Sequence, residues 1–178
     1  RSDSADAEIR SHCHRLMTYA NRLTEMLTDL MAYAKLGSDD SAVEEIDLAR
    51  IVQEIVETID GEHRISLDLQ GLDAPFLGRR VPLQLVFQNL LDNALKYSDR
   101  PTVGVSIRLE ETADKLKFVV SDDGPGIARR FHDKIFLPFR KLEHADKKPG
   151  TGMGLALGKK AIEEDRKSTR LNSSHSSV

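Results

Sequence analysis

The apolar positions of this chain change period several times, and each change marks an element. Leu16, Leu23 and Leu30 recur every seven residues, with Ala20, Leu27 and Ala34 between them and Met17, Met26 and Met31 beside them. Residues 7 to 36 are therefore predicted to form one long helix with a narrow, coiled-coil-like seam. Such a seam needs a partner helix, and no second helix of that length precedes it, so the partner is expected from sequence outside this chain or from another subunit. Gly37-Ser38-Asp39-Asp40-Ser41 is a glycine stop followed by polar residues, and residues 38 to 46 read as a linker. Asp47 is placed to cap a second amphipathic helix carrying Leu48, Ile51, Val52, Ile55, Val56 and Ile59 on one face, and Asp60-Gly61 ends it.

Beyond that point the period shortens to two. Ile65, Leu67 and Leu69 alternate with Ser66 and Asp68, as in a half-buried strand, and Pro75-Phe76-Leu77-Gly78 is a short turn or strand. Leu83, Val86, Phe87, Leu90, Leu91, Ala94 and Leu95 then return at three- and four-residue steps, which predicts a central helix from Arg79 to Ser98. Pro82 is tolerable there because it falls in the first turn. Val103, Val105, Ile107 and Leu109, a turn around Ala113-Asp114, and Leu116, Phe118 and Val120 complete an antiparallel hairpin. The order of elements predicts the α+β class: a two-layer α/β sandwich, a mixed sheet with helices on one face, preceded by the long coiled-coil-like helix.

Composition narrows the possibilities. A chain of 178 residues, 39% hydrophobic and 31% charged, suits one globular domain with an appendage. It holds no run of about 18 apolar residues and no signal-peptide pattern, so no membrane segment is expected within it. A net charge of −3 without a basic patch argues against a nucleic-acid partner. The single cysteine, Cys13, excludes an internal disulfide and fits a reducing, cytoplasmic setting. His12 and His14 flank it, but the three cannot all face one ion from a helix. The chain starts at Arg1 without a methionine and reads as a fragment. Residues 165 to 178 show neither helical nor strand period, and Asp165 to His175 resemble a translated sequencing-adapter oligonucleotide, so this tail is read as artefactual.

The candidate chemistry begins on the central helix, where Asn89, Asn93 and Lys96 share a second face. Asparagine is a poor mid-helix residue because its amide competes for backbone hydrogen bonds, so two of them four residues apart carry a cost that some gain should offset. A carboxamide oxygen is a suitable ligand for a hard cation such as Mg²⁺. Off the second hairpin strand comes Asp122-Asp123-Gly124-Pro125-Gly126-Ile127, a tight turn with a carboxylate placed to accept from a purine's exocyclic amine. After Ile135-Phe136-Leu137-Pro138-Phe139-Arg140 comes Gly150-Thr151-Gly152-Met153-Gly154-Leu155. Alternating glycines that open a helix suit a phosphate, because backbone N–H groups and the helix dipole both favour an anion. Neither a P-loop nor a dinucleotide-binding fingerprint is present.

This set, in this order, resembles the ATP-binding catalytic domain of sensor histidine kinases, within the superfamily that includes gyrase, heat-shock chaperone and mismatch-repair ATPases. NLLDNALKYS resembles the kinases' asparagine box, DDGPGI their first glycine box, FLPF their phenylalanine box and GTGMGLAL their second glycine box. Residues 1 to 37 resemble part of a dimerisation and histidine-phosphotransfer hairpin, and residues 47 to 164 a catalytic domain whose last strands are missing, which would leave an open sheet edge. The resemblance implies that Asn93 binds Mg²⁺ with Asn89 nearby, that Lys96 contacts phosphate and Tyr97 flanks the adenine. It implies that Asp122 holds the adenine amine, with Gly124, Gly126 and Ile127 around it. A lid over residues 128 to 149 would be anchored by Phe136 and Phe139, Arg140 or Lys141 would reach the γ-phosphate, and Gly150, Thr151, Gly152, Gly154 and Leu155 would wrap the triphosphate. The implied cofactors are ATP and Mg²⁺. The implied partners are a second copy, through the 7–36 helix and an absent partner helix, and the receiver domain of a response regulator.

One departure bears on the reaction. Relatives that hydrolyse ATP carry a glutamate general base one turn before the metal-binding asparagine, and here that position is Asn89, which cannot take a proton. A phosphoacceptor histidine followed by an acidic residue and a proline is absent, and His12 and His14 lack both neighbours. The alternatives are a serine protein kinase of the anti-sigma-factor type, against which the long first helix speaks, and a non-catalytic nucleotide-binding or dimerisation module.

Overall fold

A computed structural model describes residues 2–36, 42–61, 64–112, 115–141 and 150–163, the side chains of 2–7 and 111–112 apart. The expected stop at 37–41, the hairpin turn at 113–114, the lid segment 142–149 and the tail from 164 onward lie outside the described residues.

The first helix, α1 (Ser2–Lys35), begins five residues earlier than its seam suggests. Leu16, Leu23 and Leu27 are each more than 60% exposed, so the seam is uncovered among the described residues. Among the described residues the packing of α1 is at its end: Ala32 and Tyr33, with Leu36 just beyond the helix, join Met153 and, in the last helix, Leu157 and Ala161, together with Leu85 and Val86 of the central one.

Residues 44–46 were expected in the linker. They instead form a strand, β1 (Glu44–Ile46), paired antiparallel with β3 (Phe76–Gly78). Three residues with one apolar side chain carry no period to read. The strand exists because Ile46 is buried in the core and its backbone finds a partner distant in sequence.

Helix α2 (Leu48–Ile59) starts where Asp47 accepts the Arg50 N–H at 3.0 Å, and it buries Leu48, Ile51, Val52 and Ile55. Asp60 ends it, and its carboxylate accepts the Ile65 N–H at 2.6 Å, joining the helix end to β2 (Ile65–Gln70). The central helix, α3 (Arg80–Tyr97), holds Pro82 in its first turn and buries Phe87, Leu91 and Ala94. Strand β4 (Val103–Thr112) lies parallel to β2, with Ile65 opposite Val103, and antiparallel to β5 (Lys115–Asp122), with Val105 opposite Asp122. The three-stranded order is β2-β4-β5, a mixed sheet with β5 at one edge among the described residues.

Both α2 and α3 pack on the same sheet face. Val103, Val105 and Ile107 form its floor, with Ile65, Leu67, Leu69, Phe118 and Val120 around them, and Phe87 meets Phe118 edge-on at 5.8 Å between centroids. Ser66, Asp68 and Gln70 point away from this core and are exposed. Helix α4, residues 154–163, follows the second glycine box. This register delivers Asp122 and its glycine box beside the start of β4, next to the loop that leaves α3.

Candidate nucleotide site

The polar face of α3 meets the second glycine box at both of its ends. Asn89 is half-buried, and its Nδ2 donates to the Leu85 carbonyl at 2.8 Å, one turn back. That bond turns Oδ1 toward Gly154, where a Cβ would stand 2.6 Å from it. Two turns further on, the Lys96 ammonium occupies the place a Cβ would take at Gly150. Asn93, one turn after Asn89 and just under a turn before Lys96, lies on the same stripe, which spans about 10 Å at the helical rise per residue. A Cβ at 150 or 154 would therefore have to displace an α3 side chain, and at 150 the φ of +126° favours glycine as well. Leu155 follows half-buried in the first turn of α4.

The segment ending at Arg140 reaches the same box through its backbone. Gly152 has φ +80°, and a Cβ there would stand 2.8 Å from the Arg140 carbonyl oxygen, so the main chain of Arg140, not its side chain, packs on the glycine. Phe139, just before, is the one non-glycine residue with positive φ among the described residues, at 58°. Its ring and that of Phe136 are about half exposed. Thr151 is buried; its Oγ1 accepts the Met153 N–H at 3.2 Å and donates to the Asp29 carboxylate on α1. The Thr151 proton thus goes to α1 and not into the cradle.

In the first glycine box the two aspartates divide their work. Asp122 is exposed and accepts only the nearby Gly124 N–H through Oδ1, at 2.9 Å, among the hydrogen bonds described. Asp123 holds the box in place: its Oδ1 accepts the Gly104 N–H at 3.0 Å, its Oδ2 accepts from Arg100 at 2.8 Å, and its own N–H donates to the Gly104 carbonyl. Gly126 has φ +70° with open space where a Cβ would stand, and Ile127 beside it is exposed. The box is joined to the end of α3 indirectly, through Arg100. Burial, reinforced by the Asp92 carboxylate, pushes the Tyr97 phenol above its usual range, so at neutral pH it is a protonated donor.

Two positioning residues escaped the sequence reading. Asp29 sits on a helix whose pattern announced only its seam, and nothing local signals its partner 122 residues away. Asp123 had a faint signal in Gly104, an unexplained glycine within a strand pattern, where a Cβ would press on the Asp123 carboxylate at 3.3 Å.

The chain matches the family model described as histidine kinase-, DNA gyrase B- and HSP90-like ATPase over residues 78–176. It is 27% identical over 165 residues to the phytochrome-like protein Cph1 of Synechocystis sp., covering 91% of this chain and 22% of that protein. It is 33% identical over 143 residues to the sensor protein KdpD of Rathayibacter rathayi, covering 77% of this chain and 16% of that one. Its fold is similar to that of the histidine kinase AdeS of Acinetobacter baumannii, with a TM-score of 0.65 at 22% identity, over 85% of this chain and 72% of the other. The chain spans about a fifth of the length of the curated relatives. The asparagine helix seated on a glycine-opened helix, the glycine box at the sheet edge and these likenesses agree: the chain belongs to the histidine kinase-, DNA gyrase B- and HSP90-like ATPase family, as an ATP-binding domain of the sensor histidine kinase kind.

Proposed function

We propose that this chain is the catalytic ATP-binding portion of a two-component sensor histidine kinase. It holds ATP, presents the γ-phosphoryl group to a histidine supplied from outside these residues, and the phosphoryl group passes on to an aspartate in a response regulator's receiver domain. The carrying observation is the joint between α3 and the second glycine box, Asn89 on Gly154 and Lys96 on Gly150. It brings the Asn89 amide and the Lys96 ammonium against the glycine box that opens α4, where an anion is favoured.

The residues fit a magnesium ion of the nucleotide-borne kind. Among the described residues no three His, Cys, Asp or Glu side chains gather into a cage. Mg²⁺ takes few protein ligands when phosphates and water supply the rest, and Asn93 would offer one. Bound there, the ion would neutralise phosphate charge. Lys96 adds a positive charge near Gly150, Asp122 and the open side of Gly126 receive the adenine, and the Tyr97 phenol flanks it. In the transfer, a histidine nitrogen forms the N–P bond as the bond from the γ-phosphorus to its bridging oxygen breaks, leaving ADP. The chain's contribution is positioning and charge neutralisation.

The exposed α1 seam supports assembly with a second copy, and no described helix is long and apolar enough to cross a membrane. We place this portion in the cytoplasm, beside its response regulator. Calorimetric titration of the 178-residue chain with a non-hydrolysable ATP analogue tests the reading. Binding should require Mg²⁺ and weaken about tenfold or more in Asn93→Ala, the order expected for losing one ligand to a charged group. Equal affinity with and without the metal, or in wild type and variant, would refute it.

A further inference from the structure

The contact between α1 and the second glycine box is built, not incidental. Asp29 takes the Thr151 hydroxyl proton, Lys160 of α4 donates to the Tyr33 carbonyl at 2.5 Å and lies 4.0 Å over the Tyr33 ring, and Leu36 packs with Met153, Leu157 and Ala161. Three kinds of interaction thus seat the last two turns of α1 on the box and the helix it opens.

We infer that Asp29 is a positioning residue for the nucleotide site, acting through Thr151, and that docking of α1 and occupancy of the site strengthen one another. This rests on the nucleotide-binding reading above. The hydroxyl has one proton and can rotate. With the proton fixed on Asp29, its lone pairs face the Met153 N–H, which holds the turn between Gly152 and Gly154 and so the backbone N–H groups that face an anion. Without Asp29 the buried hydroxyl must find another acceptor, and the Met153 bond competes with that search. Linkage makes the effect reciprocal: what α1 gives the site, nucleotide returns to α1.

The test is titration of the full 178-residue chain with Mg²⁺ and a non-hydrolysable ATP analogue. Asp29→Ala and Thr151→Val should each weaken binding by about five- to tenfold, the lower range of typical site-to-site coupling. The double variant should be no worse than either single one. Asp29→Asn, whose carbonyl still accepts, and Thr151→Ser should restore most of the affinity. Hydrogen exchange should slow at residues 29–36 when nucleotide is added to wild type and not to Thr151→Val, a response that a merely structural contact would not show. Unchanged affinity in Asp29→Ala, with binding still lost in Asn93→Ala, would overturn the inference and leave the site reading intact. Tighter binding in Asp29→Ala, as a carboxylate that repelled the phosphates would give, would also overturn it. Loss of the Asn93→Ala effect would instead remove the site reading itself.

Discussion

Replacing Asp123 by alanine should destabilise the domain by about 2–3 kcal/mol, and the figure can be assembled from its two side-chain bonds. The bond from the Gly104 N–H is part-buried with a carboxylate acceptor, and leaving that donor unpaired costs about 1.5–3 kcal/mol. The ion pair with Arg100 is between partners 63% and 37% exposed, so solvent screening reduces it to about 0–1 kcal/mol. Hydrogen bonding to Gly104 therefore dominates, and Asp123→Asn, which keeps a carbonyl for Gly104 while losing the charge, should cost only about 1 kcal/mol on the same magnitudes. Urea unfolding of both variants at neutral pH, extrapolated linearly to water, measures the difference. The reasoning fails if Asp123→Ala costs less than about 0.5 kcal/mol, the usual spread of surface substitutions, or if asparagine is as damaging as alanine, because the charge would then be the dominant contribution.

Three further outcomes follow from the same geometry. Gly154→Ala puts a methyl 2.6 Å from Asn89 Oδ1, so it should abolish measurable binding of the ATP analogue while urea unfolding shifts by about 1 kcal/mol, because the partner is a rotatable side chain. Leu23→Glu, on the exposed α1 seam, should raise the dissociation constant for self-association in sedimentation equilibrium without changing the far-ultraviolet helix signal; identical self-association would remove the seam from the interface. The Tyr97 phenol has its pKa raised on folding, so its contribution is fully present below the unfolded value near 10.0 and is lost as pH rises through the folded one. Stability above pH 10 should thus fall more steeply in wild type than in Tyr97→Phe, and parallel profiles in urea titrations would contradict the burial argument.

What could be read from the sequence tracks how local each cause is. Helix α2 was legible end to end because cap, apolar face and stop all lie within its own residues, Asp47 to Asp60. The hairpin was legible because alternation repeats over both strands. Strand β1 was not, since its cause is the edge of β3, and three residues hold no repeat. In the site, the glycine boxes were legible as sets because glycine has few reasons to alternate. The identity of what presses on each glycine was not: Lys96 at Gly150, the Arg140 backbone at Gly152 and Asn89 at Gly154 are tertiary contacts. Thr151 illustrates the difference. Its side-chain proton is given to Asp29, a residue whose own helix pattern pointed only to the seam.

Asn89 shows how packing and reaction type are joined at one position. Its amide donates back to Leu85, which fixes the side chain and directs Oδ1 to Gly154, so the residue works as a spacer between α3 and the glycine box. A glutamate there would be one methylene longer, with no N–H for Leu85, and the space beside Gly154 is already filled by the asparagine. The same fit that seats the box therefore excludes a general base for water at this position, since a carboxamide accepts no proton at neutral pH. A nucleotide bound here would find no base for water in this residue. A histidine imidazole brings its own lone pair and needs no such base, so the geometry that makes Asn89 a poor start for hydrolysis is compatible with transfer to a histidine.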